Sequence, residues 1–139
     1  MIKRKLFTLC LILKEDEVLL QCRKHAPFAG KWNAPGGKVE ENENIKEACV
    51  REVYEETGLT ILSPNLICTI NFEQGDTLIK IFVFCSRYFL GTLRSSEEGE
   101  LAWFSIHSLS NIKQNLAFGI DWLLNIAVEV KNQPIELVF

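Results

Sequence analysis

The chain lacks several features that would define its class at once. It has no apolar run long enough to cross a bilayer. Its 15 Lys and Arg against 18 Asp and Glu give a net charge of -3, whereas a sequence-independent nucleic-acid binder carries a basic excess. The two histidines are scattered in predicted loops and make no metal site. These absences disfavour a membrane-spanning protein and direct DNA or RNA binding.

Cysteine usage favours a reducing compartment. The five cysteines are odd in number and include no Cys-x-x-Cys pair, so zinc sites and disulfides are not expected. We predict reduced core thiols at Cys10, Cys22, Cys49, Cys68 and Cys85. The basic start of the chain is followed by an apolar stretch, but no small-residue cleavage site follows, and Lys14–Glu17 is typical of a hairpin turn. We therefore expect a cytoplasmic protein.

Length and patterning predict one domain over residues 1–139, as a monomer or homodimer, with 47% hydrophobic residues. Predicted strands lie before and after a first helix, and a second helix lies near the end, which favours an α/β (α+β) fold with a mixed sheet held between helices. Strands are predicted at Lys5–Leu13, Val18–Arg23, Leu66–Glu73, Leu78–Tyr88, Leu101–Phe104 and Ile135–Phe139. Helices are predicted from a cap at Asn42 or Asn44 to about Thr57, and from a cap at Asn115 to about Val130. Gly58 follows the first helix as the expected left-handed terminating residue.

The first helix carries more acid than a surface helix needs. On a helical wheel its apolar residues share one arc, and this arc also holds Glu52 and Glu56, with Glu55 at its edge. Three carboxylates would then point toward the body of the protein, which is destabilising without a cation nearby. Arg51 alone cannot neutralise three acids, so a hard divalent cation with oxygen ligands is predicted. The alternative is a solvated acidic helix on which Arg51 and Lys46 make exposed ion pairs.

The spacing of these residues decides between the two readings. The chain matches the pattern Gly-x5-Glu-x7-Arg-Glu-aliphatic-x-Glu-Glu-x-Gly-aliphatic at Gly37, Glu43, Arg51, Glu52, Val53, Glu55, Glu56, Gly58 and Leu59. Seven fixed identities at roughly 7% usage each give a chance match on the order of 10⁻⁸ per starting position. This pattern is the Nudix box, and the chain resembles a MutT-type Nudix hydrolase. The resemblance implies an α/β/α sandwich with a mixed β-sheet.

The resemblance also implies a site and a reaction. The carboxylates of Glu52, Glu55 and Glu56 and the carbonyl of Gly36 would hold Mg²⁺ or Mn²⁺. A nucleoside triphosphate would be hydrolysed to a nucleoside monophosphate and pyrophosphate. Glu52 is the first choice for the general base, and Glu98, in the polar loop 94–100, is the second choice and a further metal ligand. Arg51 would orient a box carboxylate rather than touch substrate, and Glu43 would be structural.

The substrate is predicted from a wider similarity that covers roughly residues 5–104. Lys31-Trp32-Asn33, the Pro-Gly-Gly turn, the box and Trp103-Phe104 look like diphosphatases of oxidised purine nucleotides such as 8-oxo-dGTP. Asn33 and Asn115 would hydrogen-bond the purine edges. The other candidate substrate contacts are Thr8, Phe28 and Phe72 around the base, Arg23 and Lys24 at phosphate, and Gly37 and Lys38 beside the box.

Other functions stay open at this point. One branch of the family has paired aspartates where this chain has Asn115-Leu116-Ala117-Phe118, so the preferred base is left open. A pyrimidine triphosphate or a nucleoside diphosphate derivative is the nearest alternative substrate. Residues 71–84 contain neither the Pro nor the Tyr that marks several groups acting on such derivatives. A non-catalytic nucleotide sensor of the same fold would usually have lost box carboxylates, and here Glu52, Glu55 and Glu56 are all present.

Overall fold

The structure is a computed structural model that describes residues 2–24, 29–94, 99–117, 119–129 and 133–139. Strands lie before and after the first helix, and a second α-helix lies near the end of the chain, as expected. The strands are β1 Lys3–Lys14, β2 Glu17–Arg23, β3 Trp32–Asn33, β4 Gly36–Lys38, β5 Leu59–Leu62, β6 Asn65–Gln74, β7 Thr77–Ser86, β8 Tyr88–Gly91, β9 Gly99–Ser105 and β10 Ile135–Val138. The helices are α1 Ile45–Thr57, a 3₁₀ helix Ile106–Asn115 and α2 Ile120–Val128.

The main sheet is mixed, which confirms the predicted fold class. Its strand order is β10-β6-β7-β1-β2-β3, with β4 also paired to β1 and β9 to β2. The β1–β7 and β10–β6 pairs are parallel, and the remaining pairs of this sheet are antiparallel. Strands β5 and β8 form a separate antiparallel pair that was not predicted.

The sheet diverges beside β1, and this divergence creates space for a site. Strands β1 and β2 pair at their hairpin end, where Leu13 faces Val18. Farther back along β1, Phe7–Leu9 pairs with the short strand β4 instead. Meanwhile β2 continues between β3 and β9. The first half of β1 and the second half of β2 therefore border an opening.

Two hydrophobic clusters cover the two faces of the sheet. Along β1, Cys10 and Ile12 belong to the cluster that includes Val53 of α1. Their neighbours Leu11 and Leu13 belong to the other cluster, which includes Leu123 of α2. This alternation follows from the period of two in a strand. The sheet is therefore packed between helices on both sides, as expected for an α/β/α sandwich.

Helix α1 begins and ends where local signals predict. The Asn44 side chain caps it by accepting hydrogen bonds from the backbone N–H groups of Lys46 at 2.9 Å and Glu47 at 3.3 Å. The other candidate cap, Asn42, instead has a left-handed backbone with φ of 66°. Gly58 ends the helix at φ 83°, and its N–H donates to the Tyr54 carbonyl. A left-handed residue without a Cβ is favoured at this position.

The predicted start of the second helix is wrong. Asn115 does not cap α2, because it is the last residue of the 3₁₀ helix and α2 begins at Ile120. After Asn115 the backbone of Leu116 is extended and bridges to Trp32, and the Ala117 N–H donates to the Trp32 carbonyl at 2.8 Å. A contact with the distant strand β3 therefore replaces the first turn of the predicted helix. The apolar positions expected on it are still buried: Leu116, Ile120, Leu123, Leu124 and Ala127.

Smaller boundaries also differ from the prediction. Strand β7 ends at Ser86, after which β8 begins at Tyr88. The loop predicted over residues 94–100 ends earlier, since β9 begins at Gly99. All five cysteines are free thiols, four of them buried and Cys22 half-buried. Among the helices of the described residues, none is long and apolar enough to cross a membrane.

Candidate active site

A cavity of about 640 Å³ occupies the opening between β1, β2 and β4, and we call it the polar cavity. It brings together nine of the residues selected from the sequence: Thr8, Arg23, Asn33, Gly36, Gly37, Lys38, Glu52, Glu56 and Phe72. The remaining lining residues are Phe7, Leu9, Gln21, Ala34, Gln74, Ile79 and Ile81. Cationic, acidic and amide side chains thus meet around one space.

A second cavity of about 370 Å³ adjoins it on the side of α2, and we call it the apolar cavity. Leu9, Asn33, Phe72 and Ile81 line both cavities, and the apolar one is completed by Ile70, Ala117, Leu123 and Phe139. Asn33 is the only amide in the described lining of this second space. The two cavities together offer a polar end and an apolar end, as a ligand with a charged part and an apolar part requires.

Helix α1 and β4 meet at close range. Glu56 is only 6% exposed, and its Oε1 accepts a hydrogen bond from the Gly36 N–H at 2.7 Å. A Cβ on Gly36 would lie 2.0 Å from the backbone oxygen of Thr8, so no side chain fits there without moving the strand. A Cβ on Gly37 would lie 2.4 Å from the Glu52 carboxylate. The double glycine therefore lets the backbone approach both acids.

Arg51 gathers the other box carboxylates. Its Nε donates to Glu43 at 2.7 Å, and its Nη1 donates to Glu52 at 3.0 Å and to Glu55 at 3.2 Å. Its Nη2 donates to Glu43 at 3.0 Å and to the Lys38 carbonyl at 3.1 Å. One guanidinium thus fixes Glu52 on the side of the cavity, as its planar fork allows.

The expectation that all three metal-binding acids point inward is wrong for Glu55. Its side chain is 54% exposed, whereas that of Glu52 is 16% exposed and Glu56 is buried. Glu55 lies three residues from Glu52 at the edge of the apolar arc, where a small rotation of the helix turns a side chain out to solvent. Two carboxylates therefore face the cavity and the third lies at its rim.

Burial shifts the protonation equilibria of this cluster. The pKa of Glu52 is raised above its ordinary value, chiefly because burial penalises the carboxylate, while the hydrogen bond from Arg51 opposes the rise. The pKa of Glu43 is lowered, chiefly by the hydrogen bond from Arg51. The pKa of Arg51 is raised by the same partners, with Glu43 the largest cause. The proton affinity of Glu52 is thus increased, while Arg51 stays charged.

Comparison with known proteins identifies the family. The NUDIX domain family matches residues 3–123 of the chain. The chain belongs to the Nudix family. An oxidized purine nucleoside triphosphate hydrolase of Danio rerio is 39% identical over 111 residues, which cover 78% of this chain and 71% of that protein. An ADP-ribose pyrophosphatase of Methanocaldococcus jannaschii is 34% identical over 125 residues, covering 88% and 72% of the two chains.

A solved structure gives the same result for the fold. The crystal structure of a MutT protein from Bacillus halodurans superposes with a TM-score of 0.78 at 27% identity, over 97% of this chain and 90% of that one. This similarity confirms both the expected resemblance and the fold. The chain is a Nudix hydrolase, a class that acts on nucleotide phosphoanhydrides.

Nudix hydrolases generally use divalent metal ions, and the donor chemistry of this Nudix site fits one. Glu52 and Glu56 present carboxylate oxygens to the polar cavity, and oxygen is the ligand that Mg²⁺ and Mn²⁺ prefer. Within the described part of the chain, no three acidic, histidine or cysteine side chains converge as a ready ligand set. The reason is that Glu52 and Glu55 are turned onto Arg51 and Glu56 is turned onto the Gly36 N–H. A cation must compete with these internal partners.

The remaining predicted residues divide into two groups. Asn115 is exposed and belongs to neither cavity lining, so the structure does not bring it to the Nudix site. Lys24 likewise lies outside both linings. Phe28 and Glu98 lie outside the described residues, so their predicted roles stay predictions.

Two predicted substrate-binding residues, Thr8 and Asn33, have hydrogen-bond partners within the chain. The Thr8 hydroxyl is placed against the Gly37 carbonyl at 3.4 Å. The Asn33 Oδ1 accepts from the Ala34 N–H at 2.8 Å, which holds the side chain at the junction of the cavities and leaves its amide nitrogen as the donor. The roles of both residues toward substrate stay predictions.

The sequence reasoning missed Gln21. This residue lies in the apolar strand β2, is 3% exposed and lines the polar cavity. The available signal was an amide within the run Val18–Cys22, whose other members are hydrophobic. It also missed the far wall of the apolar cavity, formed by Ile70 and Phe139, because β6 and β10 are distant in sequence and adjacent only in the sheet.

Proposed function

We propose that this Nudix hydrolase is a divalent-metal-dependent nucleoside triphosphate pyrophosphohydrolase. It releases a nucleoside monophosphate and pyrophosphate, and oxidised purine nucleotides such as 8-oxo-dGTP are its preferred substrates. The observation that supports this most is that the two cavities share four lining residues, with box acids lining one cavity and an apolar space in the other. The triphosphate would occupy the polar cavity and the base the apolar one.

The proposed roles follow from the placement of each side chain. Glu52, Glu55, Glu56 and the Gly36 carbonyl would hold Mg²⁺ or Mn²⁺, which neutralises phosphate charge and activates water when bound. Glu52 accepts the proton of the attacking water, since its pKa is raised by burial and it is held in place by Arg51. Arg23 and Lys38 meet the phosphates from the cavity wall.

Base recognition is assigned to the junction and the apolar cavity. Phe72 and Ile81 contribute apolar surface on which a planar base can stack. Asn33 offers a fixed amide donor to a base carbonyl. The name of the zebrafish relative supports an oxidised purine as that base. Removal of oxidised nucleotides before their use by polymerases would place the enzyme in DNA repair in the broad sense, and its free cysteines favour a cytoplasmic location.

The test is pyrophosphate release with Mg²⁺ over a panel of 8-oxo-dGTP, dGTP, dTTP, dCTP and ADP-ribose. The expected result is the highest kcat/KM for 8-oxo-dGTP. A Glu52→Gln variant keeps the shape and removes the base, so its rate should fall by about 10²- to 10⁴-fold. Glu41→Gln makes the same change at an exposed acid outside both cavities and should leave the rate unchanged.

Three outcomes would correct this proposal. If oxidised purine nucleotides are hydrolysed no faster than dTTP or dCTP, the removal of oxidised nucleotides is excluded as the function. The assignment as a nucleotide hydrolase would still stand. ADP-ribose as the best substrate would place the chain with its archaeal relative. Equal turnover by the intact protein and Glu52→Gln would show that another group is the base.

A further inference from the structure

Gln21 has an unused hydrogen-bond donor beside the polar cavity. The residue is 3% exposed, and its Nε2 is buried without a hydrogen-bond partner among the described residues. Buried polar side-chain atoms nearly always have a partner, and leaving one unpaired is destabilising. An unpaired amide nitrogen in the otherwise apolar run Val18–Cys22 indicates a partner that binds from outside the chain.

The position of Gln21 in the sheet indicates which part of a ligand it meets. In the strand register Gln21 is opposite Asn33, and Arg23 lies two residues farther on the same face of β2. Gln21 lines the polar cavity and does not belong to the described lining of the apolar cavity. It therefore lies between the amide at the junction and the cation at the phosphate end.

The chemistry of a carboxamide suits this position. Glu52 and Glu56 line the same cavity as Arg23 and Lys38, and a further lysine or arginine at position 21 would add another cation that competes with a metal ion for these acids. A neutral N–H donor contacts a phosphate oxygen without neutralising the acids. The terminal torsion of glutamine is soft and has two broad minima, so the amide nitrogen can turn toward the cavity when an acceptor arrives.

We propose that Gln21 is a substrate-binding residue whose side-chain N–H donates to a phosphate oxygen of the bound nucleotide. The proposal rests on the proposed function, since it requires a nucleotide whose phosphates occupy the polar cavity. It adds a neutral phosphate contact on β2 to the contacts already assigned to Arg23 and Lys38. Its loss should weaken nucleotide binding without weakening the fold.

The experiment compares Gln21→Met with the intact protein. Methionine is unbranched and apolar and of similar length, so it fills the site without the amide. Affinity is measured by calorimetry with Mg²⁺ and an α,β-imido nucleoside triphosphate, and by NMR titration with the matching nucleoside. Gln133→Met makes the same change at an exposed residue outside both cavities and serves as the control.

The expected result is specific to phosphate. Kd for the triphosphate should rise by about tenfold or more in Gln21→Met, as for a lost bond to a charged group. Kd for the nucleoside should change by less than about twofold, and the ligand-free melting temperature should stay equal or rise. Gln21→Glu, which replaces the donor by an anion, should weaken triphosphate binding further than Gln21→Met.

Each contrary result overturns the inference in a different way. Triphosphate affinity unchanged in Gln21→Met, with the intact protein binding and hydrolysing nucleotides, refutes this inference alone. Equal weakening for nucleoside and triphosphate would assign Gln21 to the base instead. A ligand-free melting temperature lower by about 5 °C or more would make the residue structural. An intact protein that neither binds nor hydrolyses any nucleotide would refute the proposed function as well.

Discussion

Replacing Arg51 tests whether one guanidinium organises the acidic site. Arg51→Met keeps helix propensity while removing the charge and the hydrogen bonds. The bonds to Glu52 and to the Lys38 carbonyl are each worth about 1 kcal/mol, and the exposed pair with Glu55, four residues on, adds about 0.4 kcal/mol. We therefore expect a loss of at least about 2 kcal/mol. For a chain of 139 residues this lowers the melting temperature by about 7 °C.

The assay is thermal unfolding with and without Mg²⁺. The variant leaves Glu52 largely buried beside other acids without its cation, so added Mg²⁺ should raise its melting temperature more than that of the intact protein. Lys46→Met is the matched control, because Lys46 is an exposed cation of the same helix whose side chain has no described ionic partner. A melting temperature within about 1 °C of the intact protein for Arg51→Met would refute the reasoning.

Two further predictions concern the helix and the ion pair. Asn44 caps α1, so Asn44→Ala should lower the free energy of unfolding in urea by about 1 kcal/mol. Asn115 caps no helix, so Asn115→Ala should lower it by less than about 0.5 kcal/mol. A larger loss at Asn115 would contradict the observed start of α2. The pKa of Glu43 is lowered from 4.5 in the folded state, so its ion pair stabilises the fold above that pH and the benefit is lost as pH falls through the folded pKa. The intact protein should therefore be more stable than Glu43→Gln near about pH 7, with the gap closing as pH falls through the folded pKa of Glu43. A gap that persists at the acid end would mean that the carboxylate charge is not responsible.

Helix α1 was predictable because its determinants are local. The Asn44 cap, the apolar positions and Gly58 lie within fifteen residues of one another, and each acts through its own backbone geometry. The box spacing then assigned chemistry to the same helix. Only the orientation of Glu55 was wrong, because a residue at the edge of a helical arc is not assigned to one side by spacing alone.

Elsewhere the structure depends on contacts between distant segments. The delayed start of α2 follows from the bridge between Leu116 and Trp32, which are far apart in sequence. The opening that holds the polar cavity exists because β4 replaces β2 alongside the first half of β1. Gln21 was visible as an amide in the apolar run Val18–Cys22, but its relation to the site depends on how β2 pairs in the sheet. Periodicity describes one segment at a time and carries no information on such pairings.

The central claim is that the buried box acids hold a divalent cation against nucleotide phosphates. Its most direct test is Mn²⁺ binding, followed by electron paramagnetic resonance in the presence of an α,β-imido nucleoside triphosphate. The account predicts that Mn²⁺ affinity falls by about tenfold or more when Glu52→Gln and Glu56→Gln are combined, while Glu41→Gln binds as the intact protein does. Undiminished Mn²⁺ affinity in the double variant would contradict it.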